Sequence, residues 1–105
     1  YETTATAPPE ELHRFFLACR EDGFQPARRR LRELLDRFGL AGTDLVNQLH
    51  RGLGDVPFLT EGQKLSVTQT MAEADFRMVE GGGEALQLDA MTARLCTLLS
   101  PELKS

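Results

Sequence analysis

Residues 73–91 read EADFRMVEGGGEALQLDAM, two helix-forming flanks separated by Gly81, Gly82 and Gly83. Three consecutive glycines cradle a phosphate, form a hinge, or end one helix and let another begin. A phosphate loop needs GK[ST] after the glycines and a buried strand before them, and neither is present here. The remaining reading is a helix stop. Gly81 takes the left-handed position just past a helix, and its neighbours let the chain reverse tightly.

Upstream, TEGQKLSVTQTMAEADFRMVEG opens with Thr60 and Gln63 in capping-box register. At about 1.5 Å per residue, its twenty or so residues make a helix ~30 Å long. Leu65, Ala72, Phe76 and Val79 form one apolar stripe on it, and Val67, Met71, Ala74 and Met78 form a second. A helix apolar over so wide an arc packs on two sides, or packs on one and offers the other to a partner. We assign Phe76 and its stripe to the core, and Val67, Met71 and Met78 to a subunit contact. The alternative left open is that neighbouring helices of the same domain cover the second stripe. Downstream, a last helix from about Glu84 to Leu99 lines up Leu88, Met91, Leu95 and Leu98, with Leu99 beside them.

The N-terminal half repeats the design. Residues 1–7 are an extended lead-in, and the prolines of PPEELHRFFLACRE mark a helix start with Glu10 and Glu11 in its first turn. Leu12, Phe15, Phe16 and Cys19 share one face, and Gly23 ends the helix. QPARRRLRELLDRF places Ala27, Leu31, Leu34, Leu35 and Phe38 on a stripe. Its charged face has Arg29–Glu33 and Arg32–Asp36 at the spacing of helical ion pairs, and Gly39 closes it. TDLVNQLHRGL offers Thr43 or Asp44 as N-cap and Leu45, Val46, Leu49 and Leu53 as its buried side. The fold class is therefore all-α: a bundle of about five helices in one domain spanning 1–105, with a polar tail over 100–105.

Composition agrees with one soluble globular domain: 105 residues, 41% hydrophobic and 27% charged. A net charge of −4 argues against broad nucleic-acid binding. The best local exception is the Arg28-Arg29-Arg30 run with Arg32, although consecutive helix positions diverge around the axis and Glu33 and Asp36 lie close. No apolar run is long enough for a membrane span. Cys19 and Cys96 lack CxxC partners and read as core residues of a protein from a reducing cytosol. The chain begins at Tyr1 rather than methionine, so we expect it to belong to something longer. His13 and His50 have no ligand cluster, and Ser66 and Ser100 have no catalytic partner motif. No catalytic, cofactor-binding or metal-ligating residue is expected.

Two stretches, taken in order, carry a resemblance. DGFQPARRRLRELLDRFGLAGTDLVNQLHR resembles the A-R-x-x-L-x-x-L…G-L-x-G-x-D…Q-x-H pattern of clamp-loader small subunits, through Ala27, Arg28, Leu31, Leu34, Gly39, Leu40, Gly42, Asp44, Gln48 and His50. EADFRMVEGGGEALQLDAMTARL resembles their E-A-D-Y-R-L-x-E-G…Q-L-x-A segment, through Glu73–Arg77, Glu80, Gly81, Gln87, Leu88 and Ala90. Order and spacing hold from about residue 8 to 99, and GLGDVPFLTEGQ matches least well. Phe76 stands where the family usually has tyrosine.

The pattern is similar to the C-terminal collar domain of archaeal replication factor C small subunits. That resemblance implies an oligomerisation domain whose partners are copies of itself and other small and large subunits. It implies a separate ATPase module, using ATP and Mg, that opens a sliding clamp and places it on primer–template DNA. It also implies a cytoplasmic, archaeal setting and no catalysis in this stretch. Two rivals stand beside it: a helical nucleic-acid-binding module using Arg28, Arg29 and Arg32, and a small-molecule or metal enzyme, which has no residues to carry it.

Overall fold

The computed structural model describes residues 6–101. The first five residues of the expected lead-in, and the tail after Pro101, lie outside the described residues. Five α-helices follow one another: α1 (Pro9–Glu21), α2 (Phe24–Phe38), α3 (Gly42–Gly52), α4 (Glu61–Val79) and α5 (Glu84–Leu99). A 3-10 turn over Leu53–Asp55 extends α3, and no strand occurs among the described residues. The all-α expectation holds.

Local chemistry sets the helix ends. Pro9 opens α1, where its missing N–H is needed by no partner. α2 starts at Phe24, two residues before Pro26, which is tolerated in the first turn for the same reason. Gly39 closes α2 in the left-handed conformation at φ 63° and ψ 40°. The capping box of α4 is complete: the Gln63 N–H donates to Thr60 Oγ1 at 3.1 Å, and the Thr60 N–H donates to Gln63 Oε1 at 2.9 Å.

α3 departs from expectation. Its N-cap is Ala41, and neither Thr43 nor Asp44 caps it. The carboxylate of Glu84, from the start of α5, accepts the Gly42 N–H instead. A negative group at this helix end also meets the positive pole of the helix dipole. A Cβ on Gly42 would come within 2.8 Å of Glu84 Cγ, so the close approach depends on glycine.

The glycine triplet divides its labour unevenly. Gly81 has φ 105°, and its N–H donates to Met78 O at 3.2 Å while that of Gly82 donates to Arg77 O at 2.7 Å. This paired closure is a Schellman motif. Both amides are consumed by α4, which removes them from any phosphate. A Cβ on Gly82 would sit 2.9 Å from Arg77 O, whereas one on Gly83 meets open space. The turn lets α4 and α5 form an antiparallel hairpin, the most extensive helix contact in the domain.

The core is continuous through all five helices. Phe15 and Phe16 of α1, Leu34 of α2, Leu45 and Leu49 of α3, Met71 of α4 and Leu95 and Leu99 of α5 are its largest buried side chains. Burying each such group stabilises the fold by about 1.5–3 kcal/mol before conformational entropy is subtracted. Val56 and Leu59, in the loop before α4, are buried in the same core.

Gly81→Ala and Gly82→Ala should each cost about 1–2 kcal/mol in denaturant melts, one through backbone strain and the other through the clash with Arg77 O. Gly83→Ser, at the N-cap of α5, should match or slightly exceed wild-type stability. Equal losses at all three positions would contradict this account of the turn.

Candidate interaction surface

The two stripes of α4 do not take the positions assigned to them above. Val67 and Met71 are 0% and 1% exposed and Ala74 is buried, while Met78 is half-buried against the core. Leu65, Phe76 and Val79 are 67%, 62% and 68% exposed. Phe76 is therefore not a core residue, and Val67 and Met71 offer no surface to a partner.

The physical reason lies beside each stripe. Ala74 is small enough for α5 to approach closely. Thr68 and Thr70 flank the buried stripe and satisfy their hydroxyls on the carbonyls of Lys64 and Ser66, at 2.8 and 3.0 Å. Lys64 reaches out to Gly54 O at 2.9 Å, keeping its charge beyond the core. The other stripe is bordered by Glu61, Gln69, Glu73 and Glu80, all exposed and unable to follow it inward.

What remains on the outside is an apolar row along α4, Leu65–Ala72–Phe76–Val79, with Leu86 of α5 also exposed nearby in sequence beyond the turn. Beside it Arg77 lays Nε and a terminal nitrogen on Glu73 Oε2, at 3.0 and 2.8 Å. That hydrogen bond, helped by the charges of Arg77 and Arg94, holds the Glu73 carboxyl below the usual carboxylate range. An open groove of about 400 Å³ between α4 and α5 is lined by Thr70, Ala74, Arg77, Leu86 and Arg94. The surrounding surface is acidic, with Glu61, Glu73, Asp75, Glu80 and Glu84 on or next to α4 against Lys64 and Arg77.

The basic run is used within the fold. Arg28 Nε lies 3.1 Å from Asp89 Oδ2, and Arg32 donates to both Asp89 oxygens at 3.1 Å, tying α2 to α5. Glu11 of α1 gathers Arg14, Arg30 and Arg37 at 3.2, 3.7 and 3.5 Å. Neither expected pair on α2 forms: Arg32 turns to Asp89 rather than Asp36, and Arg29 and Glu33 make no ion pair. Arg29 is exposed away from the Asp89 cluster, so Arg28, Arg29 and Arg32 are not brought to one open patch. Sequence inspection missed Asp89, Glu11 and Glu84 as organising acids, and separations of up to 61 positions (Arg28 to Asp89) leave no local signal for such pairings.

His13 is half-buried, His50 is exposed, and no group of three or more potential metal-ligating side chains occurs among the described residues. Among the described residues no helix is long and apolar enough to cross a membrane.

Comparison with known proteins gives this surface a context. A family model described as the replication factor C C-terminal domain matches residues 7–94. The chain is 38% identical over 98 residues to a replication factor C small subunit of Archaeoglobus fulgidus, covering 93% of this chain and 30% of that protein. It is 36% identical over 93 residues to one from Methanocella arvoryzae, covering 89% of the chain and 29% of the relative. A third, from Natronomonas pharaonis, is 37% identical over 95 residues, covering 90% and 29%. The chain thus spans somewhat under a third of the length of these relatives.

Met71→Ala should destabilise the domain by about 2–5 kcal/mol, as buried methionine truncations do. Phe76→Ala at low protein concentration should cost less than about 1 kcal/mol. The reverse order in urea melts would return Phe76 to the core.

Proposed function

The chain belongs to the replication factor C C-terminal domain family, and from that premise we propose that it is an oligomerisation domain of a clamp-loader small subunit. Its mechanism is burial of helix faces between neighbouring subunits. The observation that carries the reading is the exposed row Leu65–Phe76–Val79, three large apolar side chains on one face of the longest helix. A monomer gains nothing by leaving them in water, whereas a neighbour that covers them gains roughly 25 cal/mol per Å².

The row is one side of a head-to-tail contact. Its acidic border suits a cationic side chain of a neighbour, such as the exposed Arg29 of α2, which makes no ion pair among the described residues. A contact between different faces of identical chains closes into a ring or continues as a filament. In the larger protein, an ATPase module using ATP and Mg would be held in a ring with other small and large subunits. That ring would load a sliding clamp onto primer–template DNA. The present domain supplies cohesion to such an assembly, and chemistry would come from the other module.

Direct nucleic-acid binding through Arg28, Arg29 and Arg32 finds less support, since two of the three guanidiniums already hold Asp89. A salt titration with duplex DNA distinguishes the readings, because phosphate contacts give a steep salt slope.

In sedimentation, the wild-type domain should self-associate at micromolar to millimolar concentration. Phe76→Glu and Val79→Glu should lower the mass toward a monomer without lowering the melting temperature of the dilute protein. A strictly monomeric wild type at high concentration, or association untouched by both charges, would overturn the assignment of this row.

A further inference from the structure

The domain pairs most of its cations internally. Among the described residues only three arginines, Arg29, Arg51 and Arg94, make no ion pair. Arg51 shares a cleft with Asp55 beside the start of α1. Arg29 and Arg94 are exposed, and each stands near an acid with bonding capacity to spare. On α2, Glu33 lies one turn beyond Arg29, also exposed and also without an ion pair. On α4, Glu73 lines the groove that Arg94 lines from α5. Both bonds from Arg77 end on Glu73 Oε2, and Glu73 Oε1 accepts none among the described residues.

We propose that these are the two sides of one contact between copies of the chain, in which Arg29 and Glu33 on α2 of one copy face Glu73 and Arg94 at the α4–α5 groove of the next. This pairing rests on the self-association proposed above, and it specifies the second face, which the apolar row alone leaves open. Arg29 of one copy meets the open Oε1 of Glu73 on the next, while Glu33 meets Arg94.

The spacing suits two simultaneous pairs. Arg29 and Glu33, four positions apart on one helix, have Cβ atoms about 6 Å apart. Glu73 and Arg94 belong to packed helices whose axes run about 8–10 Å apart, a difference that long side chains absorb. Ala74 and Ala90 are too small to fill the groove, and exposed Leu86 gives it an apolar edge. Phe76, three positions from Glu73, brings the apolar row to the same contact. Exposed ion pairs add little affinity singly, so burial of the row supplies the attraction and the two pairs select the partner face and its orientation. An α2-to-α2 contact is disfavoured, because Asp22, Glu33 and Asp36 are exposed around it against Arg29 and would meet their like. Since α2 and the α4–α5 groove are different surfaces, each copy can use both at once.

The test is a charge swap in the whole 105-residue chain, read by sedimentation. Glu33→Arg and Arg94→Glu should each keep the melting temperature of the dilute wild type, since neither side chain has an ion pair to lose. Each variant alone should self-associate at least about tenfold more weakly, because like charges then meet across the contact. An equimolar mixture of the two should associate within about threefold of wild type, since every contact between unlike variants again joins opposite charges. The chain carrying both substitutions should do the same. Wild-type association that neither variant weakens, or weakened variants that neither mixing nor combination rescues, would overturn this pairing and leave the α4 row standing. A wild type that stays monomeric at high concentration would overturn both.

Discussion

Helix α4 can turn only one of its two apolar stripes inward, and the rest of the domain is arranged around that choice. With Val67, Met71 and Ala74 against α5 and α3, the Gly81–Gly82 turn returns the chain along the buried side. That return places Glu84 over the start of α3, where its carboxylate receives the Gly42 N–H. It also places Asp89 beside α2, within reach of Arg28 and Arg32. Rotating α4 to bury Phe76 would put Met71 into water and draw exposed acids toward the core, at a desolvation cost beyond what a phenylalanine returns.

The charge arrangement follows the same geometry. Three helices are joined by acids that each serve more than one arginine: Glu11 gathers cations from α1 and α2, and Asp89 holds two from α2. Such half-exposed pairs add little stability singly, but they set which helix faces meet. They also leave α4 with more acids than bases, while six of the seven arginines of α1 and α2 are held by acids within the domain.

The helices themselves were legible in the sequence because their signals are local. Thr60 with Gln63 and the prolines and glycines between helices act within a few residues, and the structure keeps nearly all the helix limits they imply. The buried faces of α1, α3 and α5 were legible too, since each has one dominant stripe. On α4 periodicity is degenerate: two stripes of similar strength each have polar flanks, and only the positions of α3 and α5 decide between them. The cap of α3 was misread for a related reason. Thr43 and Asp44 are good capping residues, but Glu84, distant in sequence, occupies the position first. The exposed row was therefore visible as apolar residues yet invisible as a surface.

The central claim is that α4 keeps Val67 and Met71 for its own domain and Leu65 and Val79 for a neighbour. Methyl NMR with a soluble paramagnetic probe, run at low and high protein concentration, tests it most directly. Leu65 and Val79 methyls should relax strongly in dilute protein and become protected on concentration, while Val67 and Met71 stay protected throughout. Protection of Val67 and Met71 that appears only on concentration, with Leu65 and Val79 shielded in the dilute monomer, would contradict the account.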